Sequence, residues 1–325
     1  MHYSNHGSLQ YKEGNMGRLI KGQWTQTSIV TSTQGGAYAR ENRSFRDTVH
    51  ASHPHFKPEP DRYCLYVSYA CPWATRTLIY RTLKKLEHVI DVCVVHPDML
   101  ENGWSFQQDY NGTTGDKLYN LKFLYQLYQK AQPDITSSVT VPILWDKKKQ
   151  TIVNNESSEI IRIFNSNFND LTGDTQDYYP PQWRQEIDIW NEEIYSNVNN
   201  GVYQCGFART QQAYDRAIDL LFTTLEKLDT HLENRQFLVG GALSEADIRL
   251  IPTLLRFDIV YYVHFKTCVK RIQDFKNLSR YTRELSHINA IRKCFYPEHI
   301  KRHYFYSHEF LNPFRIIAKT PSDIF

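Results

Sequence analysis

The stretch "YCLYVSYACPWATRTLIYRTLKKLEHVIDVCVVH", residues 63–96, constrains the fold more than any other. "YCLYVSY" is β-branched and aromatic and reads as a strand. Pro72 suits the first position of a helix, because the amide it lacks has no intrahelical partner there. Leu78, Ile79, Leu83 and Leu86 recur at helical spacing and carry that helix to Glu87. The continuous apolar run of residues 89–96 then predicts a strand buried on both faces in parallel pairing. Strand, helix and strand within about 35 residues make a βαβ unit.

Around this unit the chain divides by pattern. Residues 1–60 lack sustained periodicity, and "GGAYARENRSFRDTVHASHPHFKPEPDRY" reads as an extended arm laid over a domain. Residues 98–117 are a polar, Gly-rich insertion, and "LYNLKFLYQLYQKA" that follows is predicted helical. "VTVPILWDKKKQTIVNN" predicts a hairpin, and Glu156 opens a further helix. The first domain, residues 61–168, thus takes the order β-α-β-α-β-β-α. A polar segment ending in two prolines, residues 169–182, reads as a linker. Residues 183–310 show only helical stretches and predict an all-α bundle, and the aromatic tail, residues 311–325, completes a C-terminal stretch expected to fold back over something. At 325 residues the chain has room for two domains.

Charge and cysteine usage narrow the function. A net charge of +3, with Lys and Arg interspersed among Asp and Glu, offers no basic stripe for nucleic acid or an anionic membrane. No apolar run approaches the roughly 18 residues needed to span a bilayer, and no secretory signal is visible. Lys12, Arg18 and Lys21 against Glu13 form a weak basic excess in residues 1–34 that is not read as a transit peptide. The six cysteines show neither a CxxC pair nor zinc-site spacing, so reduced thiols, a cytoplasmic setting and no metal are expected.

Cys71 is the candidate nucleophile because of its place between strand and helix. Unpaired amides and the positive end of the helix dipole favour a thiolate there, so a lowered thiol pKa is expected. Ala74 stands where a dithiol oxidoreductase carries its second cysteine, so a disulfide formed at Cys71 needs an external thiol to open it. For Cys64, Cys93, Cys205, Cys268 and Cys294, in apolar strands or helices, packing suffices. In "TVPIL", Pro142 cannot donate to a ladder; one resolution is a cis Val141–Pro142 bond that turns the Val141 backbone toward an extended ligand. Glu156 and Ser157 sit at a strand-to-helix junction, where they either cap the helix or grip a ligand's ammonium and carboxylate. Ser244 followed by Asp247 is a capping-box pattern with a structural role.

Taken together, a cysteine at a helix start, the V-P strand, the E-S pair, an all-helical second domain and the S-x-x-D box resemble the glutathione transferases. "SYACPWA", "GGAYARENRSFR", "TVPILWD", "NNESSEI", "NNGVYQCGFA" and "IKRHYFYSH" resemble more narrowly the glutathionyl-hydroquinone reductases, the xi class, from about Gly36 to Pro313. The resemblance implies a thioredoxin-like N-terminal domain, a homodimer, glutathione as co-substrate and glutathionylated quinols as substrates. It implies that Cys71 attacks, Trp104 lies against glutathione, Val141 pairs with its cysteinyl backbone, and Glu156 with Ser157 holds its γ-glutamyl end. Tyr203 and Tyr304 match the tyrosines of the aromatic site. The chain departs from the family at Ser138, where a basic residue is usual, so either another cation substitutes, with Lys147 to Lys149 as candidates, or glutathione binds more weakly. An omega-like thiol transferase acting on dehydroascorbate or protein-glutathione disulfides, and a non-enzymatic glutathione-binding scaffold, are the rival readings.

Overall fold

A computed structural model describes residues 17–26, 31–33 and 35–321. Of the expected arm and the basic excess near its start, Lys12 and Glu13 lie outside the described residues, as do the last four residues of the tail. Among the described residues no helix is long and apolar enough to cross a membrane.

The arm is not featureless. Strands β1 (Arg18–Ile20) and β2 (Gln23–Thr25) form a hairpin, and β3 (Thr31–Ser32) with β4 (Tyr38–Ala39) forms another. Both are too short for alternation to show in sequence. The turn of the second holds Gly36 at φ +77, and a Cβ there would meet Thr210 at 2.7 Å. Arg209 donates its amide to Gly36 O (3.0 Å), and the Thr210 hydroxyl donates to Gly35 O (3.0 Å). The arm is thereby tied to the second domain as well as the first.

The first domain has a four-stranded sheet. Strand β5 (Tyr63–Val67) leads into helix α1 (Pro72–Leu83), and β6 (Ile90–Val94) returns parallel to β5. After the hairpin β7 (Met99–Leu100) and β8 (Gly103–Trp104) come α2 (Leu124–Ala131), β9 (Ser137–Ser138), β10 (Ile143–Asp146), β11 (Thr151–Asn154) and α3 (Ser157–Ser166). The sheet order is β11-β10-β5-β6, with β10 antiparallel to both neighbours, and β9 pairs outward with β1 of the arm. This is a thioredoxin-like domain in the predicted element order.

Three elements differ from expectation. Helix α1 stops at Leu83, because Lys85 adopts a left-handed φ of 56 and a short 3-10 turn follows. Strand β6 closes one edge of the sheet, which leaves Asp91 exposed instead of burying the strand on both faces. Helix α2 begins at Leu124, not Leu118, because the buried Asp116 carboxylate accepts the amides of Leu118, Tyr119 and Leu121 and holds that segment in a turn.

A helical turn, α4 (Asn169–Thr172), lies inside the expected linker. The second domain comprises α5 (Arg184–Glu193), α6 (Gly201–Gly206), α7 (Gln211–His231), α8 (Glu245–Arg256), α9 (Tyr262–His264), α10 (Lys276–Ser286), α11 (Asn289–Arg292) and α12 (Pro297–Arg302). Three of these helices run on into π-helical turns, at residues 194–199, 257–261 and 303–307.

The capping box at α8 is half realised. Asp247 accepts the Ser244 amide at 2.9 Å, but the Ser244 hydroxyl donates to that same carboxylate (2.7 Å) instead of accepting from the helix. Asp247 also accepts from the Leu238 amide (2.8 Å) and the Tyr281 hydroxyl (2.7 Å), all in the buried core. Asp247→Ala leaves these donors buried and unsatisfied, so a loss of about 3 kcal/mol or more is expected, read as a fall in the urea midpoint.

Candidate active site

Cys71 is the N-cap of α1, with extended backbone (φ −79, ψ 120), and Pro72 takes the first helical position. The cysteine is half-buried in a solvent-open cleft, lined among others by Arg40, Arg43, Trp104, Val141, Tyr203 and Tyr304. Its thiol donates to the Val141 carbonyl at 3.7 Å. The Val141–Pro142 bond is cis, and the β10 ladder begins only at Ile143, so Val141 lies outside the sheet's pairing. Pro142 itself does not line the cleft.

The thiol does not have the lowered pKa expected from its helix position. Burial pushes it up, and the amides of Ala74 and Trp73 with the charges of Arg256 and Arg40 offset this only in part. The N-terminal helix field is present, but it does not outweigh burial.

The three π-helical turns matter here. A π turn inserts one extra residue into a helix and re-aims the side chains beyond it. The turn at 303–307 brings Tyr304 to within 2.6 Å (Oη to Oη) of Tyr203 on α6, and the turn at 257–261 places the Tyr261 hydroxyl 3.0 Å from Tyr304. Burial raises the Tyr203 and Tyr304 hydroxyls well above the ordinary phenol value, so both stay protonated and able to donate. His303 stacks on Trp104 (centroids 4.8 Å apart), and its Nδ1 lies 2.9 Å from Pro97 O. Burial takes the His303 imidazole down to about 4 and that of His308 well below its ordinary value, so both are neutral.

Permanent charge in the cleft therefore comes from arginines. Arg40 lies over the rings of Trp73 (4.7 Å) and Tyr203 (5.3 Å) and donates to Asn200 Oδ1 (3.0 Å). Arg43 lines the same cleft. The expected lysines are elsewhere: Lys147 donates to Asp91 (2.8 Å) and Lys148 to Glu59 (3.2 Å), and all three belong to the β10–β11 turn, at the end of β10 away from Val141. Ser138 donates to Glu41 (2.6 Å), which also binds Arg18 (2.6 Å), the residue opposite Ser138 in the β1–β9 pair. The arm, not the hairpin, supplies the cations.

Glu156 and Ser157 are placed apart from Cys71. Glu156 caps α3 by accepting the Ser158 amide (3.0 Å) and faces an adjoining polar cleft with Arg46, Arg76, Ser158 and Arg249. The Ser157 hydroxyl is buried and accepts two hydrogen bonds from Arg76 (2.6 and 3.1 Å), so Ser158 is the serine whose side chain faces that cleft. Trp73 stands near both clefts, with Arg40 on its ring and Tyr195 beside it (5.9 Å). Among the described residues no cluster of His, Cys, Asp or Glu is arranged to hold a metal ion.

Comparison with known proteins gives the family. Residues 70–167 match the glutathione S-transferase N-terminal domain, and residues 211–284 match the C-terminal domain. Glutathionyl-hydroquinone reductase YqjG of Escherichia coli (strain K12) is 49% identical over 313 residues, covering 94% of this chain and 95% of that one. The chain belongs to the xi class of the glutathione transferases. The crystal structure of the xi transferase of Phanerochaete chrysosporium superposes with a TM-score of 0.88 at 48% identity, over 90% of this chain and 96% of that one. The glutathione-bound structure of YqjG superposes with a TM-score of 0.86 at 46% identity, over 95% and 97%. This xi-class chain is thus an enzyme of the glutathione transferase superfamily.

Arg40, Arg43, Tyr261, His303 and His308 escaped the sequence reading as site residues. Arg40 and Arg43 lie in an aperiodic segment, and the others become neighbours only through the π turns. Cys268, expected in an apolar element, is exposed in a turn after α9. The raised Cys71 thiol predicts that iodoacetamide labels the Cys71 peptide of the ligand-free protein with a pH midpoint above that of an ordinary thiol, about 8.5. Peptide mass spectrometry of samples quenched across pH measures it.

Proposed function

We propose that the enzyme reduces glutathionyl-hydroquinones to hydroquinones at the expense of glutathione. The Cys71 thiolate attacks the glutathione sulfur of the substrate. The bond between that sulfur and the aromatic carbon breaks, a proton is taken up at the carbon, and the hydroquinone leaves with Cys71 held as a mixed disulfide with glutathione. A second glutathione, as thiolate, then attacks the Cys71-glutathione disulfide and releases Cys71 and glutathione disulfide. The aromatic carbon is reduced, and the substrate's thioether sulfur and the thiol of one free glutathione are oxidised together to the disulfide, with Cys71 regenerated. Ala74 in place of a resolving cysteine fits a cycle closed from outside the chain.

The observation that carries this reading is the hydroxyl pair of Tyr203 and Tyr304, 2.6 Å apart in the cleft that holds Cys71. Two protonated phenols facing the thiol suit the oxygens of a quinol and the charge that develops on it as the sulfur is withdrawn. Trp104 and the Val141 backbone line the glutathione side, and Arg43 takes the carboxylate role that Ser138 cannot fill. Glu156 and Ser158 in the adjoining cleft receive the γ-glutamyl end.

A binding-only scaffold is favoured by one observation, the thiol raised by burial. Intact mass spectrometry separates the two. With a glutathionylated quinol and no free glutathione, a single glutathione adduct is expected on the wild-type chain and none on Cys71→Ser. An unmodified wild-type chain would sink the reaction. The tyrosines give a second check. Tyr203→Phe combined with Tyr304→Phe should lower kcat by about 100-fold while the affinity for glutathione changes less than threefold, because their hydroxyls act mainly in the transition state.

A further inference from the structure

One buried charge at this site has no part in the chemistry above. Arg256 ends α8 in the helical domain, and its side chain is fully buried. Its Nε donates to Ala70 O (3.0 Å), and its Nη2 donates to Tyr69 O (3.2 Å) and to the Thr75 hydroxyl (2.7 Å). Its Nη1 donates to Pro252 O (2.8 Å), one turn back in α8. Every acceptor is neutral, and Arg256 makes no ion pair among the described residues.

A cation removed from water costs several kcal/mol unless an opposite charge accompanies it. Neutral oxygens satisfy its hydrogens without cancelling its charge. Two of these oxygens belong to the residues directly before Cys71, and a third to Thr75 in the first turn of α1, whose hydroxyl in turn donates to the Cys71 carbonyl (3.0 Å). The guanidinium therefore lies behind the Cys71 turn, on the side away from solvent.

We propose that Arg256 is a positioning residue whose counter-charge is the Cys71 thiolate, so that the helical domain stores, beneath the cleft, a positive charge balanced only when Cys71 ionises. The proposal rests on the reading of Cys71 as the nucleophile.

The other groups that act on Cys71 support this division of labour. Arg40 comes from the arm, Tyr203 from α6, Tyr261 from the turn after α8, and Tyr304, His303 and His308 from the C-terminal segment. The phenols are protonated and the two imidazoles neutral, which leaves Arg40, Arg43 and Arg256 as the cations around the thiol, and of these Arg256 and Arg40 draw it most strongly toward ionisation. Arg40 is partly exposed, so water and salt screen it; Arg256 has no exposed surface, and its field is damped far less. A thiol also ionises before a phenol, by about 1.5 pH units in ordinary surroundings, so Cys71 and not Tyr261 or Tyr304 supplies the balancing anion.

The test is the pH profile of iodoacetamide labelling at the Cys71 peptide in wild type, Arg256→Gln and Arg256→Lys, with a melting curve for each. Arg256→Gln should label about tenfold more slowly at pH 7 and approach the wild-type rate at high pH, a midpoint raised by about one unit. Arg256→Lys keeps the charge and should stay within about threefold of wild type at pH 7. A folded Arg256→Gln with the wild-type profile overturns the proposal. So does an Arg256→Lys profile displaced by a full unit, since the hydrogen-bond fork and not the charge would then be responsible. Where Arg256→Gln fails to fold, the Arg256→Lys midpoint decides alone by the same criterion. Labelling needs no turnover, so the absence of a glutathione adduct on wild type would count against the proposed reaction, whereas an undisplaced labelling profile would count only against Arg256.

Discussion

Helix α1 has α3 on one side and α8 on another, and from Ala74 to Tyr80 its residues are buried. A helix so enclosed cannot rotate or slide without losing packing on both sides at once, because protein interiors are as dense as molecular crystals. Its N-terminus must then end at the junction of the two domains. Arg256 fastens that end from the helical domain through the carbonyls of Tyr69 and Ala70, and the arm crosses the same junction with Arg40 bonded to Asn200. The cleft follows from this placement, since a strand-to-helix turn held between two domains leaves a concave surface with Cys71 at its base.

The second domain is more than a covering layer. Its π-helical turns at residues 194–199, 257–261 and 303–307 border the segments that carry Asn200, Tyr261 and Tyr304. Each turn costs hydrogen-bond regularity and gains a re-aimed side chain. The outcome is a hydroxyl chain from Tyr203 through Tyr304 to Tyr261, with neutral His303 and His308 at its side. Such a pocket is built of polar-edged rings and arginine charge.

Much of this was legible in the chain. The β5-α1-β6 unit, the β10–β11 hairpin, the helical second half and Cys71 at a helix start all rest on local periodicity, on Pro72 and on strand propensity, which act over a few residues. What failed locally failed for tertiary reasons. Helix α2 begins late because Asp116 captures amides ahead of it, and β6 is exposed at Asp91 because sheet order puts it at an edge. The Cys71 thiol is raised and not lowered because burial outweighs the helix dipole, and a helix start announces its dipole in sequence while burial does not.

The placement of cations around the cleft shows the same limit at longer range. Lys147 to Lys149 are near Ser138 in sequence, yet the β-hairpin carries them to the far end of β10, while Arg18 and Arg43 arrive from more than ninety residues away through the arm. By itself, then, the sequence determined which residues form the strands and helices and that one cysteine, without a resolving partner, stands at a helix start. Only the tertiary structure decided which arginines face that cysteine, which serine faces the polar cleft and which tyrosines join hydroxyls. Backbone periodicity is local, whereas charge compensation and burial depend on groups brought together by packing between distant segments.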